Sequence, residues 1–122
     1  MCYDPEKGPD MDSWRDANEL QRLSVVEEYH LIAGIELPNL TLHAAMHVVV
    51  ENQLSEDLTA TVRTLDRLVA QGVTRHDAVH AIGSVVSEHL YHLMRGTIGS
   101  FDRAAYARDL DVLDAQIWAA KP

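Results

Sequence analysis

The stretch NLTLHAAMHVVVENQL, residues 39–54, decides the fold. Its ionisable residues are His43, His47 and Glu51, each four positions after the last. At about 100° per residue of an α-helix they lie at roughly 0°, 40° and 80°, so they form one narrow stripe. Apolar residues occupy nearly all the other directions, and a helix that is apolar all round is a buried helix. We therefore expect three ionisable side chains in a row where water is scarce, and each of them needs a partner.

A second stretch, residues 74–95, repeats this arrangement. His76 and His80 are again four positions apart, and small residues at 83, 84 and 87 continue that side of the helix. Small residues let another helix approach closely, which leaves room for a shared site. Glu88 follows at about 80° from His80, a looser alignment than Glu51 has with His47. A metal ion would satisfy the histidines and the carboxylates of both helices together.

The whole sequence predicts an all-α protein, a compact antiparallel bundle of about five helices. Hydrophobic periodicity and capping residues place these helices at about 13–33, 39–54, 55–71, 74–95 and 101–119. Residues 1–12 contain Pro5, Gly8 and Pro9 and predict an irregular N-terminal arm. A length of 122 residues suits one domain, so residues 13–122 are expected to form a single helical metal-binding domain.

Composition narrows the class of partners. The formal net charge is −9 and no basic stripe is present, which argues against nucleic acid and anionic membrane surfaces. Cys2 is the only cysteine, and residues 1–12 have no basic region followed by an apolar run, so we expect a cytoplasmic protein without a signal peptide. A chain of this size with an apolar helix at 39–54 is also a candidate to complete its core as a homodimer.

Two ligand sets follow from how the two helices pack. If they are antiparallel with Glu51 level with His80, then His43 is level with Glu88, and each histidine pair faces the other helix's glutamate. Each set then has two histidines and one carboxylate, which suits non-haem iron, and bridging glutamates could make the centre dinuclear. A parallel arrangement instead places the four histidines together, which favours a three- or four-nitrogen site for zinc, nickel or copper. The sequence leaves both open.

The other histidines and tyrosines are assigned different roles. Tyr91 and His92 lie close to the stripe of the second helix and are candidates for proton transfer. His30 follows two glutamates and a tyrosine and is typical of a surface or cap histidine. His89 lies on the apolar side of its helix and is predicted to be a packed histidine.

Three segments carry a resemblance to known domains: PNLTLHAAMH at 38–47, VENQ at 50–53 and GVTRHDAVHAIG at 72–83. They resemble a group of small bacterial helical domains of unknown function that share a Leu-His-x-x-x-His…Glu-Asn-Gln…Arg-His-x-x-x-His-x-x-Gly pattern. The resemblance covers about residues 38–95. It implies that five residues belong to one pattern, namely His43, His47, Glu51, His76 and His80. It implies no reaction.

The leading hypothesis is a metal-dependent enzyme, an oxidoreductase in which non-haem iron uses oxygen on a small-molecule substrate. Its ligands would be drawn from His43, His47, Glu51, His76, His80 and Glu88. An alternative is a hydrolase or lyase in which zinc or another divalent ion activates water or polarises a carbonyl. A further alternative is a non-catalytic module that stores or senses a metal ion, with zinc or copper as candidates besides iron.

Overall fold

The computed structural model describes residues 1–96 and 99–120. Within those ranges the structure has α-helices and no β-strands, which confirms the predicted all-α class. The helices are α1 (Met11–Asp16), α2 (Glu19–Ile32), α3 (Leu40–Ser55), α4 (Thr59–Ala70), α5 (Arg75–Met94), α6 (Arg103–Asp111) and α7 (Ala115–Ala120). No helix in the described part of the chain is long and apolar enough to cross a lipid bilayer.

Two of the five predicted helices are each divided in two. The helix predicted at 13–33 breaks before Asn18, where a capping box starts a new helix. The Asn18 side chain accepts a hydrogen bond from the Gln21 backbone, and the Gln21 side chain accepts one from the Asn18 backbone. The helix predicted at 101–119 is likewise divided into α6 and α7. The bundle is therefore built from more and shorter helices than the sequence pattern indicates.

Two helix starts also differ from the prediction. Helix α1 begins at Met11 because Asp10 caps it, its side chain accepting from the backbone N–H of Ser13. Helix α4 was expected from residue 55 but begins at Thr59. Asp57 has a φ of 54°, which a right-handed helix cannot contain, so the chain changes direction there.

Helix α3 lies in the middle of the molecule, between α2 and α5. Ala44 and Val48 pack with Val26 of α2 in one cluster, while Val50 belongs to the larger core that α3 shares with α4, α5 and α6. The prediction that this helix is buried all round holds only in part, because Ala45, Met46 and Val49 are partly exposed. It fails in the first turn, where the side chain of Leu42 is 58% exposed.

Helices α3 and α5 pack antiparallel. Glu51, late in α3, contacts Arg75 at the start of α5, while Met46, earlier in α3, accepts a hydrogen bond from Ser87 further along α5. Gly83 lies at the close approach, since a β-carbon added to it would be 3.7 Å from Cβ of Met46. This direction and register determine which functional side chains meet.

The N-terminal arm packs across the first turn of α5. Tyr3, Pro5 and Pro9 are buried, and the Arg75 guanidinium donates a hydrogen bond of 2.8 Å to the Pro5 carbonyl oxygen. Gly8 has a φ of +78°, and a β-carbon there would lie 2.8 Å from Nη2 of Arg75. This contact requires glycine, and the arm so held carries Tyr3 into the interior.

Candidate metal centre

Four histidines from three helices meet in the interior. They are His30 of α2, His47 of α3, and His76 and His80 of α5, and one ring nitrogen from each lies within 4.8 Å of the others. His30 and His47 are buried, whereas His76 and His80 are partly buried. Imidazole is the commonest protein ligand for transition metals, so this group could hold a metal ion. We call these four residues the histidine cluster.

His43 stands at the edge of the histidine cluster. Its Nε2 lies 3.1 Å from Nε2 of His47, and its ring centroid is 4.7 Å from that of His80. It is only partly buried and lines a surface groove of about 260 Å³ together with Leu42, Met46 and other residues. His43 therefore lies between the histidine cluster and this groove.

Two ring nitrogens of the histidine cluster are buried without a hydrogen-bond partner among the described residues: Nε2 of His30 and Nε2 of His76. The other nitrogen of His30, Nδ1, lies 2.8 Å from the Val26 carbonyl oxygen. A carbonyl only accepts, so Nδ1 carries the proton and Nε2 of His30 presents a lone pair. Leaving a buried polar atom unpaired costs about 1–3 kcal/mol, which a bound ion would offset.

The protonation of the cluster suits metal ligation. Burial, followed by the neighbouring histidines, lowers the pKa of His47 to about 2 and that of His80 to about 4. Burial also lowers the pKa of His43, and of His76 despite the opposing carboxylate of Glu6. These imidazoles are therefore neutral near pH 7, and the neutral ring is the form that binds a metal ion.

Glu51, predicted as a metal ligand, forms an ion pair instead. It is buried, and its two oxygens accept from the Arg75 guanidinium at 2.7 and 2.9 Å. Burial lowers the pKa of Arg75, but the hydrogen bond and charge of Glu51 outweigh this and raise it overall. The carboxylate of Glu51 is therefore occupied by a bidentate cation beside the histidine cluster.

The register of α3 and α5 does not match the predicted antiparallel sets, in which each histidine pair faces the other helix's glutamate. The helices are antiparallel as that arrangement required, but Glu51 is level with Arg75 rather than with His80. Nε2 of His47 instead lies 2.9 Å from Nε2 of His80, so the histidine pairs face each other. A fully buried carboxylate is most stable beside a cation, and Arg75 supplies one at the start of α5. Antiparallel helices thus bring together three of the four histidines expected of parallel ones, and His30 takes the place of His43 in the cluster.

The remaining predicted residues of α5 lie away from the histidine cluster. Glu88 is exposed and eight residues beyond His80, about 12 Å along the helix axis. Tyr91 is 53% exposed and its hydroxyl accepts a 2.6 Å hydrogen bond from Arg95, while the His92 ring packs against that of Tyr91. The structure does not bring these side chains to the cluster.

His30 lies where the sequence did not place it, whereas His89 lies where it was predicted. His30 was expected at a surface or helix cap, yet it is fully buried and belongs to the histidine cluster. It lies near the end of α2, and its ring packs against the rings of His43 and His47 of α3. His89 packs against the rings of Phe101 and Tyr106 as predicted, and its Nε2 lies 2.6 Å from an oxygen of Asp109.

The N-terminal arm supplies contacts that the sequence pattern did not indicate. The Tyr3 hydroxyl donates to Glu51 Oε2 at 2.6 Å and lies 3.0 Å from Nδ1 of His47. Burial and the charge of Glu51 raise the pKa of Tyr3, so its hydroxyl stays protonated. Glu6 accepts a 2.7 Å hydrogen bond from the backbone N–H of His76. The sequence indicated only that Glu51, as a buried carboxylate in α3, needs a partner. It did not indicate that the N-terminal arm supplies one.

Comparisons with known proteins leave the function to be argued from this geometry. No protein-family model matches the chain. The searches of curated proteins and of solved structures find no match either. The resemblance of residues 38–95 to small helical domains therefore stays a prediction.

Proposed function

We propose that this protein binds one transition-metal ion through the histidine cluster, with zinc as the best-fitting ion. The observation that carries the proposal is that Nε2 of His30 and Nε2 of His76, in a group of four histidines, are buried without a hydrogen-bond partner in the part of the chain that the structure describes. A structural hydrogen-bond network would give these atoms partners. Metal ligation explains why they have none.

The spacing of the nitrogens is compatible with one ion bound by all four histidines. With zinc–nitrogen bonds of about 2.0–2.1 Å, neighbouring ligand atoms of a tetrahedron are about 3.3 Å apart. Nε2 of His47 and His80 are 2.9 Å apart, and all four ligand atoms lie within 4.8 Å of one another. Shifts of the order of 1 Å in side-chain position would close the tetrahedron. Because the ligands come from three helices, the ion would also tie those helices together.

The donor atoms narrow the choice of ion to metals that bind nitrogen ligands. All four are imidazole nitrogens, a set that zinc, copper and nickel accept readily. The oxygen-using iron oxidoreductase was inferred from two-histidine, one-carboxylate sets, and those sets depended on Glu51 and Glu88. Glu51 is paired with Arg75, and Glu88 is exposed far along α5. The iron oxidoreductase therefore has less support from the geometry than zinc binding has.

A catalytic role is a second proposal, favoured by the position of His43. This histidine lies between the cluster and the surface groove beside Leu42 and Met46, so a small molecule in the groove would be close to the ion. In this role three of the four histidines would bind zinc and a water would take the fourth position, where zinc activates it for the hydrolase or lyase alternative. His43 would then be the group placed to accept a proton.

Metal titration tests the binding proposal. The chain, stripped with a chelator, is titrated with Zn²⁺ against a chromophoric competitor and with Co²⁺, whose visible absorption reports a tetrahedral nitrogen site. We expect one ion per chain, and loss of binding in His47→Ala and His76→Ala. His92→Ala is the matched control, since it removes a histidine of the same helix α5 that lies outside the cluster. Binding that survives in both cluster variants would contradict the proposal.

A further inference from the structure

Four side chains form a continuous chain of hydrogen bonds that ends on the histidine cluster. Arg75 holds both oxygens of Glu51, Glu51 accepts from the Tyr3 hydroxyl at 2.6 Å, and Tyr3 Oη lies 3.0 Å from Nδ1 of His47. Glu51 is fully buried, and Tyr3 and His47 are at most 5% exposed. Water therefore has little access to these contacts. The four groups must supply the donors and acceptors for one another.

Counting the protons fixes the direction of each hydrogen bond. The Arg75 guanidinium can only donate, so both oxygens of Glu51 accept. The single hydroxyl proton of Tyr3 is used in the 2.6 Å bond to Glu51. The oxygen of Tyr3 must then accept from His47, which places the ring proton on Nδ1 of His47. Nε2 of His47 is left with its lone pair, and this is the atom that lies 2.9 Å from Nε2 of His80.

We propose that Tyr3 is a positioning residue that holds His47 in the Nδ1–H tautomer, so that its Nε2 faces the histidine cluster as a ready ligand. The consequence for metal affinity rests on the proposed function, but the tautomer itself does not. Orientation of a ligating histidine through its second nitrogen is a general device of metal sites, commonly ending on a carboxylate. Here the tyrosine of the N-terminal arm is inserted between the histidine and the carboxylate.

The hydroxyl can be separated from the packing of the ring. Tyr3 packs against Trp14 and Tyr29, with ring centroids 6.2 and 6.1 Å apart, and Tyr3→Phe keeps that ring. Tyr29→Phe is the matched control, because the Tyr29 ring also lies against the cluster, 5.1 Å from His30 and 5.9 Å from His76. Each variant removes one tyrosine hydroxyl beside the cluster, but of the two tyrosines only Tyr3 contacts Nδ1 of His47.

Two measurements test the proposal on the full chain. Nitrogen-15 NMR of the histidine rings in the metal-free protein reports which nitrogen of His47 carries the proton. We expect Nδ1–H in the wild type and in Tyr29→Phe, and a shift towards Nε2–H in Tyr3→Phe, where Nδ1 loses its acceptor. Zn²⁺ affinity, measured by competition, should fall about 10- to 100-fold in Tyr3→Phe and stay unchanged in Tyr29→Phe.

The outcomes distinguish this inference from the proposed function. If the wild type binds Zn²⁺ while Tyr3→Phe keeps both the Nδ1–H tautomer and the wild-type affinity, the positioning role is refuted and metal binding stands. If the wild type binds no ion but Tyr3→Phe still changes the tautomer, the proposed function is refuted and the control of His47 by Tyr3 stands. A loss of stability in Tyr3→Phe without a change of tautomer assigns Tyr3 to packing and overturns the proposal.

Discussion

Arg75→Met tests whether the buried ion pair between Arg75 and Glu51 holds α3 and α5 in register. The Glu51 side chain is 0% exposed and that of Arg75 is 16% exposed, and they are joined by two hydrogen bonds. Removing the cation leaves a buried carboxylate uncompensated, which costs about 3–5 kcal/mol. The hydrogen bond from Arg75 to the Pro5 carbonyl is lost as well. Against a typical total of about 5–15 kcal/mol, this is a large fraction of the stability.

Urea denaturation in the presence of a chelator measures the effect without contributions from metal. With a slope of about 2 kcal/mol per molar, the unfolding midpoint should fall by about 2 M in Arg75→Met. Arg63→Met is the matched control, because Arg63 pairs with Asp111 at the surface, where the two side chains are 54% and 47% exposed. That pair should be worth at most about 1 kcal/mol.

A double variant identifies the cause of the loss. Glu51→Gln combined with Arg75→Met removes the buried charge together with its partner, so part of the stability lost in Arg75→Met should return. If Arg75→Met destabilises no more than Arg63→Met, the buried pair does not hold α3 and α5 in register, and the reasoning is refuted.

Two further predictions concern protons and metal. Because the pKa values of His47 and His80 are lowered to about 2 and about 4, the unfolded chain binds more protons than the folded one below the ordinary histidine value of about 6.5. The free energy of unfolding therefore falls as the pH drops below about 6.5. The urea midpoint of the metal-free protein should be lower at pH 5 than at pH 7.5, and a higher midpoint at pH 5 would contradict this. Free Zn²⁺ at a hundred times its dissociation constant should add about 2.7 kcal/mol of stability, and thermal unfolding should show no such gain in His80→Ala. Equal zinc stabilisation of that variant and the wild type would exclude His80 as a ligand.

Local patterns were enough to predict the fold class and most of the histidine cluster. A spacing of four residues places His43 with His47, and His76 with His80, on single faces of helices, and this geometry is independent of what packs against them. The break of the first predicted helix was also readable, because Asn18 and Gln21 have the spacing of a capping box. The hydrophobic periodicity continues through that position and concealed the break.

The partners of these side chains could not be predicted from local patterns. Whether Glu51 meets His80 or Arg75 depends on a shift of about one turn between α3 and α5, and the arm helps to set it through the contact of Gly8 with Arg75. Tyr3 reaches His47 across 44 positions of the chain, and no periodicity links residues so far apart. His30 joins the cluster only through the crossing of α2 and α3. Tertiary packing therefore decided the ligand set, while sequence spacing supplied its candidates.

The most direct test of the metal centre is a crystal structure of the Zn²⁺-loaded protein, with anomalous scattering measured at the zinc edge. We expect one ion bound by ring nitrogens of His30, His47, His76 and His80 at about 2.0–2.1 Å, with both oxygens of Glu51 still on Arg75. An ion bound by a carboxylate of Glu51 or Glu88 at about 2.0–2.2 Å, or no ion within the histidine cluster, would contradict the account.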